Sequence, residues 1–136
     1  MRDAFELRVV TPRRLLLEDE VREVTAPGTV GEFGVLPDHI TFLTSLEIGS
    51  MSYRDLRGGT HRLAVRGGFA EVANNVMTVL ADDAAFAEDI DVASARSDLQ
   101  DADARLRGLS PLDETYASTD ADRRWAQARI ETVSAR

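Results

Sequence analysis

Cysteine and lysine are both absent from this sequence of 136 residues. Without cysteine there is no disulfide framework, no thiolate zinc site and no cysteine nucleophile, and the redox compartment is left open. Without lysine, all 16 basic side chains are arginine, a compositional bias that also favours bidentate pairing with carboxylates. Histidine is scarce. His39 and His61 have no nucleophile or metal-ligand partner nearby in sequence, so no catalytic set assembles and both are read as surface or capping residues. No segment approaches the ~20 apolar residues of a membrane span. The stretch from Met1 to Val10 lacks the basic start and apolar run of a signal peptide, so any membrane association is expected to go through a partner. The net charge of -8, with no clustered cations before the C-terminal end, argues against nucleic acid.

Other small-molecule signals are missing as well. Gly58-Gly59 and Gly67-Gly68 are followed by neither a lysine nor a helix start, so they read as turns rather than phosphate cradles. The acid pairs Asp82-Asp83 and Glu88-Asp89 lack the alternating spacing around a central glycine that wraps calcium, and read as a solvated linker. No metal site is expected. At 43% hydrophobic and 29% charged residues, the chain has the composition of an ordinary folded domain, long enough to carry an appendage.

What is present first is a series of short strands. Phe5, Leu7 and Val9 alternate with Glu6, Arg8 and Val10, the period of a half-buried strand, and Thr11-Pro12 breaks it. Leu15 and Leu17 begin a second short run, and Val21 to Ala26 a third, closed by Pro27-Gly28. Between Gly28 and Asp38, glycines and a proline surround Phe33, Val35 and Leu36, which suits a turn, a brief strand and another turn. Runs follow at Ile40 to Leu46, Ser50 to Leu56, Thr60 to Val65, Phe69 to Val72 and Val76 to Leu80. Their near-regular spacing predicts an antiparallel sandwich or barrel of short strands over residues 1–86.

From Asp82 the apolar period lengthens and glycine disappears until Gly108. Val92, Ala95, Leu99, Ala102, Leu106 and Leu109 place one narrow stripe on a helix that Asp91 caps. Gly108 ends it. Ser110-Pro111-Leu112-Asp113 then offers a cap, a proline at the first helical position and an acid three residues after the cap, predicting a second helix from there. Tyr116, Ala121, Trp125, Ala128 and Thr132 form its stripe, and Arg123, Arg124, Arg129 and Arg136 gather in its later half. Residues 87–136 therefore read as an antiparallel two-helix hairpin, giving an α+β chain. Alanine fills much of both stripes, so the hairpin buries little area per turn and needs something to lie against. It is expected to pack down in one state and to extend along another protein in a second.

The segment Gly28-Thr29-Val30-Gly31-Glu32-Phe33-Gly34-Val35-Leu36-Pro37-Asp38-His39 resembles the epsilon family of F-type rotary ATP synthases. So do Val9-Val10-Thr11-Pro12, Gly67-Gly68-Phe69-Ala70-Glu71-Val72 and Val76-Met77-Thr78-Val79-Leu80-Ala81-Asp82, all in family order. The resemblance implies a non-catalytic rotor subunit of the central stalk that locks the gamma subunit to the membrane rotor ring, so that proton-driven rotation reaches the alpha/beta catalytic head. It implies a location on the cytoplasmic face of a bacterial inner membrane, ahead of a plastid thylakoid, held there only through the complex. By the same resemblance Glu32, with His39 close by, faces the ring loops, and the hairpin inhibits ATP hydrolysis by laying Arg123, Arg124 and Arg129 against acidic segments of the beta subunits.

One departure bears on ATP as a ligand. Some bacterial members bind it at the start of the first hairpin helix through Ile/Leu-Asp-x-x-Arg-Ala, where this chain has Ile90-Asp91-Val92-Ala93-Ser94-Ala95. Ser94 replaces the arginine that would meet phosphate, leaving Ile90, Asp91 and Arg96 for at most a weak contact, and no cofactor is expected. The reading from another class is a free-standing β-sandwich binding module with a self-associating helical tail. An enzyme would need a deep polar pocket around His39 or His61.

Overall fold

A computed structural model describes residues 2–135. Its strands are β1 (Phe5–Val10), β2 (Leu15–Gly28), β3 (Gly31–Val35), β4 (Phe42–Ser45), β5 (Ile48–Asp55), β6 (Thr60–Arg66), β7 (Phe69–Ala73), β8 (Val76–Leu80) and β9 (Ala84–Phe86). A 3-10 turn at Ala87–Asp89 leads to α1 (Val92–Arg107) and α2 (Tyr116–Ser134).

The strands hydrogen-bond in the order β4-β7-β8-β1-β2-β5-β6-β9, and β3 also pairs with β2. All pairs are antiparallel except β1 with β8, which runs parallel. The two short runs expected at Leu15 and Val21 are one strand of 14 residues. Glu18, Asp19 and Glu20 look like a break by composition, but they continue the ladder to β1 with their side chains exposed, and Glu18 pairs with Arg8 at 3.6 Å. Around Val21 and Glu23 the register shifts. The first half of β2 serves the β4-β7-β8-β1 layer, and the second half serves β3, β5, β6 and β9. Such an irregularity bends a strand and sharpens its twist, which lets one strand belong to both layers of a sandwich.

The expected alternation of β1 holds, with Phe5, Leu7 and Val9 all buried. They meet Val21, Val24, Met51, Leu63, Val65, Val72, Met77 and Val79 between the layers. Each such side chain contributes roughly 1.5–3 kcal/mol when fully buried. This core contains no residue of either helix, so the sandwich has what it needs to fold alone. The β7–β8 turn is Asn74-Asn75, both at positive φ (53 and 62), as a two-residue hairpin turn of the primed type requires. Asn75 also donates to the Ala4 carbonyl and accepts from the Asp38 amide, both at 2.8 Å, tying three loops together at that end.

In the hairpin, Asp91 caps α1 as expected, its carboxylate accepting from the Ser94 amide at 3.1 Å. The second helix starts later than its sequence signal suggests. Ser110 and Asp113 do make the reciprocal bonds, Leu112 N to Ser110 Oγ at 3.2 Å and Ser110 N to Asp113 Oδ2 at 2.8 Å. They close turns rather than a helix, and α2 begins at Tyr116. The residues between have nothing to bury, since Leu112 is 94% exposed, and helical turns without a packed face do not persist. Val92, Leu99, Leu106 and Leu109 of the expected α1 stripe are half-buried, and Ala95 and Ala102 are fully buried. On α2, Trp125, Ala128 and Thr132 are buried as expected, joined by Thr119 and Ala126. That face is broad because α2 packs against α1 on one side and against β5 and β6 on the other.

Candidate functional site

The outer surface of the β4-β7-β8-β1 layer is divided by its own sequence. The register sets Ser45 opposite Phe69, Phe69 opposite Leu80 and Leu80 opposite Val10. Leu15 lies opposite Val10, so apart from Ser45 this outward row makes one apolar end, and Leu43, paired with Glu71, stands at its border. Leu43 is 68% exposed, Phe69 57%, Leu80 53% and the adjacent Leu15 47%. Along the same strands the other end carries Glu6, Arg8, Glu18 and Glu71. Beside Phe69 and Leu80 lies a shallow groove of about 360 Å³ lined by Val10, Pro12, Gly68 and Ala81 among others. A contiguous exposed apolar patch with a charged border is the kind of surface that binds a partner.

Reading the sequence did not find this patch. Each member is a single outward hydrophobic residue in its own strand, which is ordinary. Only the strand order brings them together.

The two residues assigned to the rotor ring occupy different parts of one corner. Glu32 is exposed on β3, next to the Thr29-Val30 turn, and makes no ion pair among the described residues. Val30 beside it is 94% exposed. His39 follows the turn at Leu36–Asp38, half-buried, its Nδ1 2.8 Å from the Ile40 carbonyl and its ring edge-on to Phe42 at 6.0 Å. Phe42 in turn meets Phe33 at 5.3 Å. The link between the two residues is thus an aromatic run, Phe33–Phe42–His39, and no hydrogen bond joins Glu32 to His39 among the described residues.

His61 closes a turn. Its Nε2 donates to Asp55 Oδ2 at 2.6 Å, its ring stacks on Tyr53 at 4.8 Å, and Asp55 also accepts from the Arg57 and Gly59 amides. The hydrogen bond from His61, then that from Gly59, hold the Asp55 carboxyl below its usual range. A carboxyl lowered in the fold stabilises fully above its unfolded value of 3.8, and that contribution is lost as pH falls through the lower folded value. Acid titration of the melting temperature should therefore steepen below pH about 3.8, and Asp55→Asn should flatten that limb. An unchanged acid limb would mean the turn contributes nothing.

The arginines assigned to an acidic partner are all engaged within the chain. Arg124 pairs closely with Glu47. Arg129 lies 3.0 Å from Asp98, with its guanidinium 5.4 Å from the Trp125 ring. Arg123 is 2.8 Å from Asp120. Below α2, Trp125 and Ala128 rest on Ala64, with Ile48 and Ile90 at the margin. Ser50, opposite Ala64 in the ladder, has a buried hydroxyl with no partner among the described residues, a burden of about 1–3 kcal/mol.

At the start of α1, the structure brings Ile90, Asp91 and Ser94 into a cleft of about 200 Å³ with Asp83, Asp89, Trp125 and Arg129, and leaves Arg96 outside its lining. Three carboxylates face one guanidinium there, and that guanidinium is already paired with Asp98. This balance opposes a triphosphate, which needs a surplus of cations and amide donors.

Comparison with known proteins agrees with this architecture. The family model described as ATP synthase, Delta/Epsilon chain, beta-sandwich domain matches residues 4–87. An ATP synthase epsilon chain of Nitratidesulfovibrio vulgaris is 45% identical over 131 residues, covering 96% of this chain and 97% of that one. That of Citrifermentans bemidjiense is 40% identical over 133 residues, covering 98% and 96%. Among solved structures, a chain of the Euglena gracilis mitochondrial ATP synthase superposes with a TM-score of 0.83 at 20% identity, covering 100% of this chain and 84% of that one. One from the central stalk and c-ring of the Tetrahymena thermophila enzyme gives 0.63 at 17%, covering 94% and 95%. At those identities the structural likeness is one of fold.

Proposed function

Because this chain belongs to the ATP synthase epsilon-chain family, we propose that it is the non-catalytic subunit that fastens gamma to the rotor ring in the central stalk, passing rotation to the catalytic head. The observation that carries the reading is the divided outer face of the sandwich. Its apolar end, Phe69, Leu80, Val10 and Leu15, is the surface for gamma, where apolar side chains supply affinity and a charged border sets orientation. Glu32 and Val30, exposed at the β2–β3 turn, are the contact with polar, basic ring loops, and His39 braces that corner through Phe42 and Phe33. Among the described residues no helix is long and apolar enough to cross a membrane. Attachment to the cytoplasmic face of a bacterial membrane is then through gamma and the ring.

The hairpin is the regulatory part. In the docked form Arg124 is covered by Glu47 of the sandwich, while Arg123 and Arg129 pair with Asp120 and Asp98 within the hairpin; extended along gamma, Arg123, Arg124 and Arg129 meet acidic segments of beta and slow hydrolysis. Nucleotide plays no part in this, in keeping with the acid-lined cleft at Ile90 and Asp91.

Capture by purified gamma from the same organism tests the reading, using the full chain and a form ending at Glu88, followed by ATPase assays on the reconstituted catalytic head. Both forms should bind gamma with similar affinity, since the patch lies wholly in the sandwich, and hydrolysis should be faster only without the hairpin. Failure of both forms to bind would favour a free-standing module.

A further inference from the structure

The contacts that hold the hairpin down have an ordered polarity. Ile48 of β5 opposes Arg66 of β6, so Glu47 and Arg66 stand at one end of that ladder, an acid beside a base. The helix above offers them the opposite order: Arg124 pairs with Glu47, and Asp122 lies 2.7 Å from Arg66. Arg105 of α1 adds a second guanidinium to Asp122 at 3.6 Å. Shifting α2 along the sheet, or turning it about, would bring like charges together. The apolar part of the contact is small, mainly Trp125 and Ala128 on Ala64, and beside it lies the Ser50 hydroxyl, buried without a partner among the described residues. A contact with so little apolar area takes its register from these charges, and they bias how long it persists.

We propose that Glu47–Arg124 and Arg66–Asp122 form an ionic latch, in which Glu47 occupies the site on Arg124 that an acidic partner would take. Docking of the hairpin and capture of an acidic surface by Arg124 are then mutually exclusive. The latch responds to ionic strength and to competing carboxylates, and it requires no nucleotide. Its side chains are 30–42% exposed, so breaking one pair shifts the docked equilibrium only about two- to fivefold. The hairpin is therefore poised rather than locked. The latch belongs to this chain alone; what it regulates rests on the stalk reading given above.

The native chain has no cysteine, so Ala64→Cys introduces a single thiol beneath Trp125 that a neutral reagent reaches only when α2 lifts. Its labelling rate in the full-length protein reports the undocked fraction. In that background Glu47→Gln should raise the rate about two- to fivefold at low salt. The double reversal Glu47→Arg with Arg124→Glu should return it towards the parent value. Molar sodium chloride should erase the difference between the parent and Glu47→Gln, and magnesium-ATP at constant ionic strength should leave the rate unchanged. Amide hydrogen exchange along α2, without the introduced thiol, should move in the same directions and guards against disturbance by the thiol itself. Equal rates for the parent and Glu47→Gln at low salt by both readouts, or slowing by ATP, would overturn the latch. No partner is present in either measurement, so the latch can fail while gamma capture succeeds, and the reverse.

Discussion

Replacing Phe69 and Leu80 together by glutamate should weaken capture of gamma by about a hundredfold or more while lowering the melting temperature only slightly. Both side chains stand more than half exposed as cross-strand neighbours on the outer face, so the free chain loses no core packing, and two carboxylates facing each other across the ladder cost it only about 1 kcal/mol. In the proposed complex with gamma the same two positions become central and desolvated. Anchors of that sort cost about 2 kcal/mol or more each when removed, and introduced carboxylates add the penalty of burying unpaired charge. Titration of gamma against the wild-type and double variant measures the effect. Leu112→Glu at the tip of the hairpin, 94% exposed, is the matched control and should bind gamma like wild type. Full binding by the double variant would move the gamma surface elsewhere.

Gly68→Ala should destabilise the sandwich by about 3 kcal/mol or more, lowering its melting temperature by roughly 10–20 °C. Gly68 sits at φ 101 in the tight link between β6 and β7, and a Cβ there would lie 1.9 Å from the Leu80 carbonyl oxygen and 2.9 Å from the Ala81 Cα. These are backbone atoms of the neighbouring strand, so no rotamer change relieves the clash. The β7–β8 register must shift, and with it the Phe69–Leu80 pair. Gly58 offers the comparison, because it too has a positive φ (88) but nothing within 4 Å of an added Cβ. Gly58→Ala should cost only about 1 kcal/mol, the backbone term alone. Equal losses for the two variants in thermal melts would show that close approach to β8 is not what Gly68 permits.

Much of the fold was legible because it is written in local patterns. The alternation of Phe5, Leu7 and Val9 is the buried face of β1, and Asp91 is the cap its position suggested. Local signals failed where a distant partner decided the outcome. Glu18-Asp19-Glu20 continues a strand because β1 supplies the ladder, and the Ser110–Asp113 bonds start no helix because nothing lies nearby to bury its first turn. The parallel pairing of β1 with β8 joins segments about 70 residues apart, beyond any short-range rule.

The candidate surfaces follow the same division. Glu32 and the arginines of α2 stand out as charged residues in a distinctive context. The apolar patch proposed for gamma does not, since Val10, Phe69 and Leu80 come from three strands and no one strand shows a surplus. Nor could the sequence show that Arg124 is matched with Glu47, 77 residues away.

The passage of β2 through both layers also governs how the molecule comes apart. Neither layer can lose order without taking half of β2, and so the edge of the other layer, with it. The sandwich should consequently melt as one cooperative unit. No residue of α1 or α2 enters that core, and the hairpin is joined to it through a small, partly charged contact. Its opening free energy is thus separate from, and well below, that of global unfolding. One continuous strand therefore makes the two layers a single stiff body and leaves the hairpin able to open without loosening it.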